Sequence, residues 1–217
     1  IGEQAFKGNT GVITVTLPTG VEEINYRAFY GCSNLKSVNL PDSLKTIGEG
    51  AFQGCTSLAS VNCDTVLPAS VTSVGKNAFS NCKALAGDLV LVAALTELAE
   101  SAFYGCAELT SVTMSDSFNG LNAAGGQFNG CTKLQRAVLS AALKELPART
   151  FFACGLTELP DLKNVASIGQ ACFQRNNAMT AVTIPETVTY LAGNAFAYNT
   201  GLKEVTILGT PEMGSGS

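Results

Sequence analysis

Eight cysteines, seventeen carboxylates and thirteen Lys or Arg cations are the reactive side chains of this 217-residue chain, and histidine is absent. Without histidine neither a Ser-His-Asp nor a Cys-His relay can be assembled. No Cys-x-x-Cys pair occurs, so a zinc site has no support in spacing or ligand type. The acids Glu49, Asp88, Glu97, Glu108, Glu158 and Glu204 are scattered. They form no acid–base pair in sequence and read as solvated edges. Gly125-Gly126 lacks the strand-to-helix context and the lysine of a phosphate loop. The expectation is no catalysis, no cofactor and no metal.

The cysteines point to architecture instead. Cys32, Cys55, Cys82, Cys106, Cys131 and Cys154 each stand three residues after a phenylalanine, and Asn9, Asn176 and Asn199 take the same slot. Cys and Asn share little beyond the ability to hydrogen-bond in a confined space. Their interchange predicts a ladder that satisfies otherwise unpaired backbone groups. One cysteine per frame also favours free, buried thiols. Bridges such as Cys32–Cys55 or Cys131–Cys154 stay open on Cα spacing. Cys172 fills the slot before Phe173, and Cys63 follows Asn62 in a strand frame.

The phenylalanines that set this frame are Phe6, Phe29, Phe52, Phe79, Phe103, Phe128, Phe151, Phe173 and Phe196, separated by 23, 23, 27, 24, 25, 23, 22 and 23 residues. A period in the twenties means a solenoid, whose coils bury their apolar faces only by stacking. An aliphatic residue stands five before most of them (Ile24, Ile47, Val74, Leu98), and a small one directly before (Ala28, Ala51, Ala78, Ala102). Before Phe128 the frame gives Ala123, and the nearby Leu121 is expected to serve instead. Alternating runs such as Val38-Asn39-Leu40 and Val182-Thr183-Ile184 read as half-buried strands. One strand per coil would build a parallel sheet, and nine coils a rod of roughly 40 Å.

From Leu35 to Leu58 the chain reads LKSVNLPDSLKTIGEGAFQGCTSL. This resembles the BspA-like leucine-rich repeats, known from surface proteins of host-associated bacteria and some protozoa. The resemblance runs from Ile1 to about Leu208, with departures at Asp64, Ser115 and Ser140, where the frame expects Pro. Period and resemblance together imply an α/β-type solenoid, mostly β with irregular turns. It would be a right-handed leucine-rich repeat superhelix of about nine stacked coils with one parallel sheet. The domain would span residues 1–208, and 209–217 would be a tail or linker. The resemblance further implies a non-enzymatic cell-surface or secreted protein. Its role would be protein–protein interaction or host adhesion, with a host extracellular-matrix protein as the partner class. It transfers no binding residue, because the shared positions are scaffold: Phe29, Phe52, Phe79, Phe103 and Phe196, with the cysteine ladder.

Charged residues are only 14% of the chain, with a net charge of −4 and no Lys/Arg block, so nucleic-acid binding has no electrostatic support. No apolar run reaches the length of a membrane span. The chain starts at Ile1 in mid-frame and ends Gly214-Ser215-Gly216-Ser217. It reads as processed or excised, so an upstream targeting segment could have been removed. Ile1 and Leu208 look uncapped, which predicts cover by flanking sequence or by end-to-end self-association.

Outward positions of the strands are the default partner face: Thr14, Thr16, Ser37, Asn39, Ser60, Asn62, Ser111, Thr113, Arg136, Thr183 and Thr206. A Thr/Ser stripe is also ordinary solvated sheet. Hot spots favour Trp, Tyr and Arg, and Arg136 alone among these qualifies. Tyr30 and Tyr104, each one residue after its Phe, would mark the opposite face. A structural spacer with no ligand of its own is therefore the alternative function. Asp116 to Gln127 is the least repeat-like stretch. Phe118 within it reads either as a buried replacement for the aliphatic after the strand or as part of a projecting loop. Coil seven is one residue short, using Leu156, but coils six to nine otherwise read as regular.

Overall fold

The structure, a computed structural model, describes residues 1–61 and 66–215. The expectations placed on Asn62, Cys63 and Asp64, and on Gly216 and Ser217 of the tail, lie outside the described residues. Phe stacking confirms a solenoid of nine coils. Neighbouring rings lie from 5.1 Å apart (Phe79–Phe103) to 6.2 Å (Phe103–Phe128) and are nearly parallel. Phe29, Phe52, Phe79, Phe103, Phe128, Phe151 and Phe173 are fully buried.

Among the described residues fifteen short strands, numbered in chain order, fall into two parallel ribbons rather than the one sheet expected. The first ribbon holds β1 (Thr14–Thr16), β3 (Ser37–Asn39), β6 (Gly87–Leu91), β8 (Leu109–Met114), β9 (Arg136–Val138), β12 (Ala181–Ile184) and β14 (Glu204–Ile207). These are the alternating runs of the sequence. The second holds β2 (Glu23–Ile24), β4 (Thr46–Ile47), β5 (Ser73–Val74), β7 (Glu97–Leu98), β10 (Glu145–Leu146), β11 (Ser167–Ile168), β13 (Tyr190–Leu191) and β15 (Glu212–Met213). Here the aliphatic residue five before each Phe pairs coil to coil, as in Ile24↔Ile47 and Ile47↔Val74. Glycine follows at close quarters. A Cβ on Gly75 would lie 2.7 Å from the backbone N of Glu49, so a side chain there would force the coils apart. The pairing of β13 with β15 carries coil structure into residues assigned from the sequence to a tail.

The described residues contain no helix, so the α/β label is corrected to an all-β solenoid with irregular turns. The reason lies in the A-F-x-x-C segment. Residues two before and two after each ladder Phe have positive φ, as at Arg27 (50°) and Gly31 (70°). That left-handed geometry cannot propagate a right-handed helix. Alternate donors then serve two purposes. Ala28 N, Tyr30 N and Cys32 N close local turns onto Asn25, Arg27 and Phe29 carbonyls, whereas Arg27 N, Phe29 N and Gly31 N reach Glu49, Ala51 and Gln53 carbonyls of the next coil.

The disturbed stretch keeps the frame by substitution. Phe118 is buried, and its N–H bonds Ser115 O just as Leu44 N bonds Pro41 O. It therefore holds the aliphatic slot, and the projecting-loop reading is set aside. Leu121 bridges to Leu98 in place of Ala123, as expected. Gln127 occupies the small slot before Phe128, buried, with Nε2 donating to Asn122 O at 2.8 Å.

Candidate interaction surface

The cysteine slot is structural in coils two to eight. Cys32, Cys55, Cys82, Cys106, Cys131 and Cys154 donate through Sγ to the carbonyls of Phe6, Phe29, Phe52, Phe79, Phe103 and Phe128 in the preceding coil, at 3.0–3.2 Å. Asn176 makes the same bond with Nδ2 to Phe151 O at 2.8 Å, which explains the Cys/Asn interchange. All seven described cysteines are free and buried, so the bridges left open by spacing do not form. Desolvation pushes the Cys55 and Cys131 thiols up to about 12. A thiol held protonated and out of solvent is no nucleophile at neutral pH. Among the described residues no group of three His, Cys, Asp or Glu could hold a metal ion.

The first ribbon presents the predicted outward row. Cross-coil register aligns Thr14 with Ser37, Ser37 with Ser60, Thr16 with Asn39, Ser111 with Arg136 and Thr183 with Thr206. Two members are already engaged. Asn39 accepts from Leu17 N at 2.6 Å and donates to Leu17 O at 3.0 Å. It is a rung of the scaffold, not the free recognition group expected. Ser111 donates to Asp88 at 2.7 Å, and this bond and that from Thr110 hold the Asp88 carboxyl below its usual range. Arg136 is exposed and its guanidinium has no intramolecular partner among the described residues. Tyr30 lies under Arg27 (5.2 Å) and Lys7 (5.8 Å), whereas Tyr104 is exposed.

The ribbon is not continuous. β9 ends one sheet and β12 begins the next, and coil seven contributes no strand between them. Its expected regularity fails for two reasons. Leu156 follows Cys154 by two residues where other coils use three. This shortcut is permitted by Gly155, whose missing Cβ would lie 2.4 Å from Thr132 O. Pro160 then falls in the strand frame and lacks a ladder N–H. The last rung from coil six is Thr157 N to Gln135 O at 3.3 Å.

Clefts flank coil seven on both sides. One, of about 360 Å³, is lined by Asp116, Arg136, Val138, Glu158, Pro160 and Lys163 with their neighbours. The other, of about 350 Å³, is lined by Glu158, Pro160, Asp161, Ala181 and Thr183 among others. Pro160 is buried, whereas Glu158 and Asp161 are exposed. Lys163 pairs with Asp161 at 3.1 Å, and its N–H and ammonium lower the Asp161 carboxyl. Asp116 and Glu158 have no ion pair among the described residues. The structure thus brings Arg136 and Asp116 together with Glu158, Asp161 and Lys163. Sequence reading placed only the first on a partner face. A proline within the strand frame of an already shortened coil was the signal for the rest.

Nine stacked coils with a recurring aliphatic position and an invariant Phe and Cys/Asn spacing define a leucine-rich repeat solenoid. The sequence model for the BspA type Leucine rich repeat region matches six copies, over residues 1–66, 63–177 and 124–214; the chain belongs to that family. Its fold is similar to that of a leucine rich cell surface protein from Faecalibacterium prausnitzii A2-165. That match has a TM-score of 0.68 and 22% identity, over 92% of this chain and 71% of the other. It is also similar to the pneumococcal vaccine antigen PcpA, with a TM-score of 0.53 and 19% identity over 87% of this chain and 60% of the other. No curated protein matches the sequence.

Proposed function

We propose that this chain is a non-enzymatic protein-interaction module of a bacterial surface or secreted protein, with host adhesion as its specific role. The observation that carries the reading is the broken first ribbon. An unpaired Arg136 on the outward row lines the first of the two clefts that adjoin coil seven. A free guanidinium beside a concave polar surface is the composition of an interface anchor. Family membership and the surface-protein description of the Faecalibacterium relative support the surface setting. No helix of the described residues is long and apolar enough to cross a membrane. The remaining free members of the row, Thr14, Thr16, Ser37, Ser60, Thr113, Thr183 and Thr206, would form a weak polar rim. Asn39 is removed from it by its bonds to Leu17.

The test is binding of residues 1–217 to an arrayed panel of extracellular-matrix proteins and glycans, with Arg136→Ala and Glu158→Ala variants in parallel. Capture of a matrix protein that falls at least tenfold in either variant supports the reading. Capture unaffected by both moves recognition off coil seven. No capture at all favours a spacer role.

A further inference from the structure

The turn segments around the ladder Phe residues form a corner that shares no residue with the coil-seven clefts. Within three residues of a ladder Phe stand four of the five tyrosines (Tyr26, Tyr30, Tyr104, Tyr198) and three of the four arginines (Arg27, Arg149, Arg175). Both residue types are favoured interface anchors. Backbone conformation does not explain them: Arg27, Arg149, Arg175 and Tyr198 take φ values of 50°, 55°, 64° and 57°, a region that costs energy for any L side chain. The corner also differs from the chain in charge. The three arginines with Lys7 and Lys76 oppose Glu3, Glu49 and Glu100. Five cations against three carboxylates leave +2, in a chain of net charge −4.

At coils one and two this corner holds an arginine ready for an anion. The Arg27 guanidinium lies 4.9 Å from the Tyr26 ring centre and 5.2 Å from that of Tyr30. Its stem crosses Gly50 of the next coil, where a Cβ would lie 3.1 Å from Arg27 Cγ. Nε is buried with no hydrogen-bond partner. No carboxylate pairs with the guanidinium among the described residues, although Glu3 and Glu49 lie exposed on the same corner. Lys7 reaches Tyr30 from coil one at 5.8 Å and spends one donor on Gln4 Oε1 at 3.0 Å, which leaves two free. A cation fixed among aromatic rings with no counter-ion has already lost its rotamer freedom and part of its hydration. An arriving anion offsets that cost.

We propose that Arg27 and Lys7, set around Tyr30, bind a sulfate group of an acidic glycan. With Nε closed off, the anion meets the guanidinium at its Nη edge. A sulfate ester has three free oxygens and accepts from both cations at once, whereas a carboxylate has two oxygens in one plane. The arrangement recurs at the other end of the corner, where Arg175 lies 5.7 Å from the ring of exposed Tyr198. Coil two and coil eight are six coil spacings apart, about 29 Å. A glycan long enough to reach both gains avidity.

The probes are fluorescent heparin-type tetrasaccharide and dodecasaccharide, a hyaluronan dodecasaccharide that carries carboxylates alone, and a tyrosine-sulfated peptide. The readout is anisotropy at low salt, where exposed cations act most strongly. The sulfated dodecasaccharide is expected to bind about tenfold more tightly than hyaluronan, and more tightly than the tetrasaccharide. Arg27→Gln and Lys7→Gln should each weaken it about tenfold, and Arg27→Lys about fivefold, because the ammonium lacks the planar fork. Lys203→Gln removes the same charge from an exposed site outside the corner and should change binding less than twofold. Lys7 is exposed, so Lys7→Gln tests the site with an unchanged melting curve even where Arg27 variants lose stability. Equal weakening by Lys203→Gln overturns the site in favour of net charge. Equal binding of hyaluronan overturns sulfate selection, and tighter binding of the sulfated peptide overturns the glycan in favour of a protein. Binding of no probe overturns the proposal altogether and leaves the coil-seven reading untouched.

Discussion

At the ladder position, Cys106 and its equivalents give a buried backbone carbonyl its second donor, beside the turn N–H that already reaches it, as Cys82 N reaches Phe79 O at 3.0 Å. Cys106 Sγ donates to Phe79 O at 3.1 Å, and both residues are fully buried. Cys106→Ala should leave that carbonyl with only the Cys82 N–H and cost about 0.5–1.5 kcal/mol for the lost bond. Cys106→Asn should cost less, since Asn176 already does this work with Nδ2. Denaturant midpoints of the two variants decide it: an alanine as stable as wild type would deny the bond any role. The same burial makes stability depend on alkali. The Cys55, Cys131 and Cys172 thiols rise from 9.0 to about 12 in the fold. Unfolded thiols lose their protons above pH 9 while folded ones keep theirs, so the unfolded state binds fewer protons and stability falls as pH rises. The loss should begin near pH 9 and run towards pH 12, at about 1.4 kcal/mol per pH unit for each thiol. Unfolding midpoints at pH 8, 9.5 and 10.5 should show it, and a Cys55→Ala/Cys131→Ala variant should show a shallower decline. These slots were legible in the sequence because their spacing from Phe is invariant. Asn39 was not, since its engagement with Leu17, 22 residues away, depends on which coil lies beside it.

The strand and turn elements were legible in proportion to their length. Runs such as β12 alternate over four residues and announce themselves, whereas the second ribbon is built of pairs such as Glu23–Ile24 and Thr46–Ile47. Two residues cannot show a period, so these read only as aliphatic core. The turns carry a hidden regularity of their own, the positive φ at both flanks of each Phe. Glycine fills many of these positions, but Ala153 sits there at φ 51°. An L side chain in that region costs roughly 1–2 kcal/mol, against about 0.5–1 kcal/mol for the extra freedom of glycine in the unfolded chain. Ala153→Gly should therefore stabilise by roughly 0.5–1 kcal/mol, with the reverse change, Gly31→Ala, destabilising. Urea unfolding of both variants tests the pair, and a destabilised Ala153→Gly protein would mean that packing, not φ, dominates this corner. The coil-seven break is the same lesson in reverse. Its cause, Pro160 in a shortened coil, is visible in the sequence, but the cleft it opens depends on two neighbouring coils staying regular.

Across the whole molecule, each coil buries its apolar face against the next, so the exceptions collect at the two ends. Phe6 (41%) and Ile13 (54%) are exposed in the first coil, and Val205 (57%), Leu208 (57%) and Met213 (64%) in the last. The two faces are complementary in kind. One offers β1 and the open side of Phe6; the other offers β14 and Phe196, which stacks on Phe173 at 5.3 Å. Whatever covers them must continue the same frame, either as flanking coils or as a second copy stacked head to tail. A head-to-tail contact is heterologous and does not close on itself. Residues 1–217 on their own should therefore associate progressively with concentration rather than stop at a dimer. Sedimentation velocity over a hundredfold concentration range should show a rising weight-average mass. Val205→Lys with Leu208→Lys, both at exposed positions, should return the protein to monomer without lowering its unfolding midpoint. A wild-type chain that stays monomeric throughout would show that these end faces, though apolar, are too small to hold a second copy.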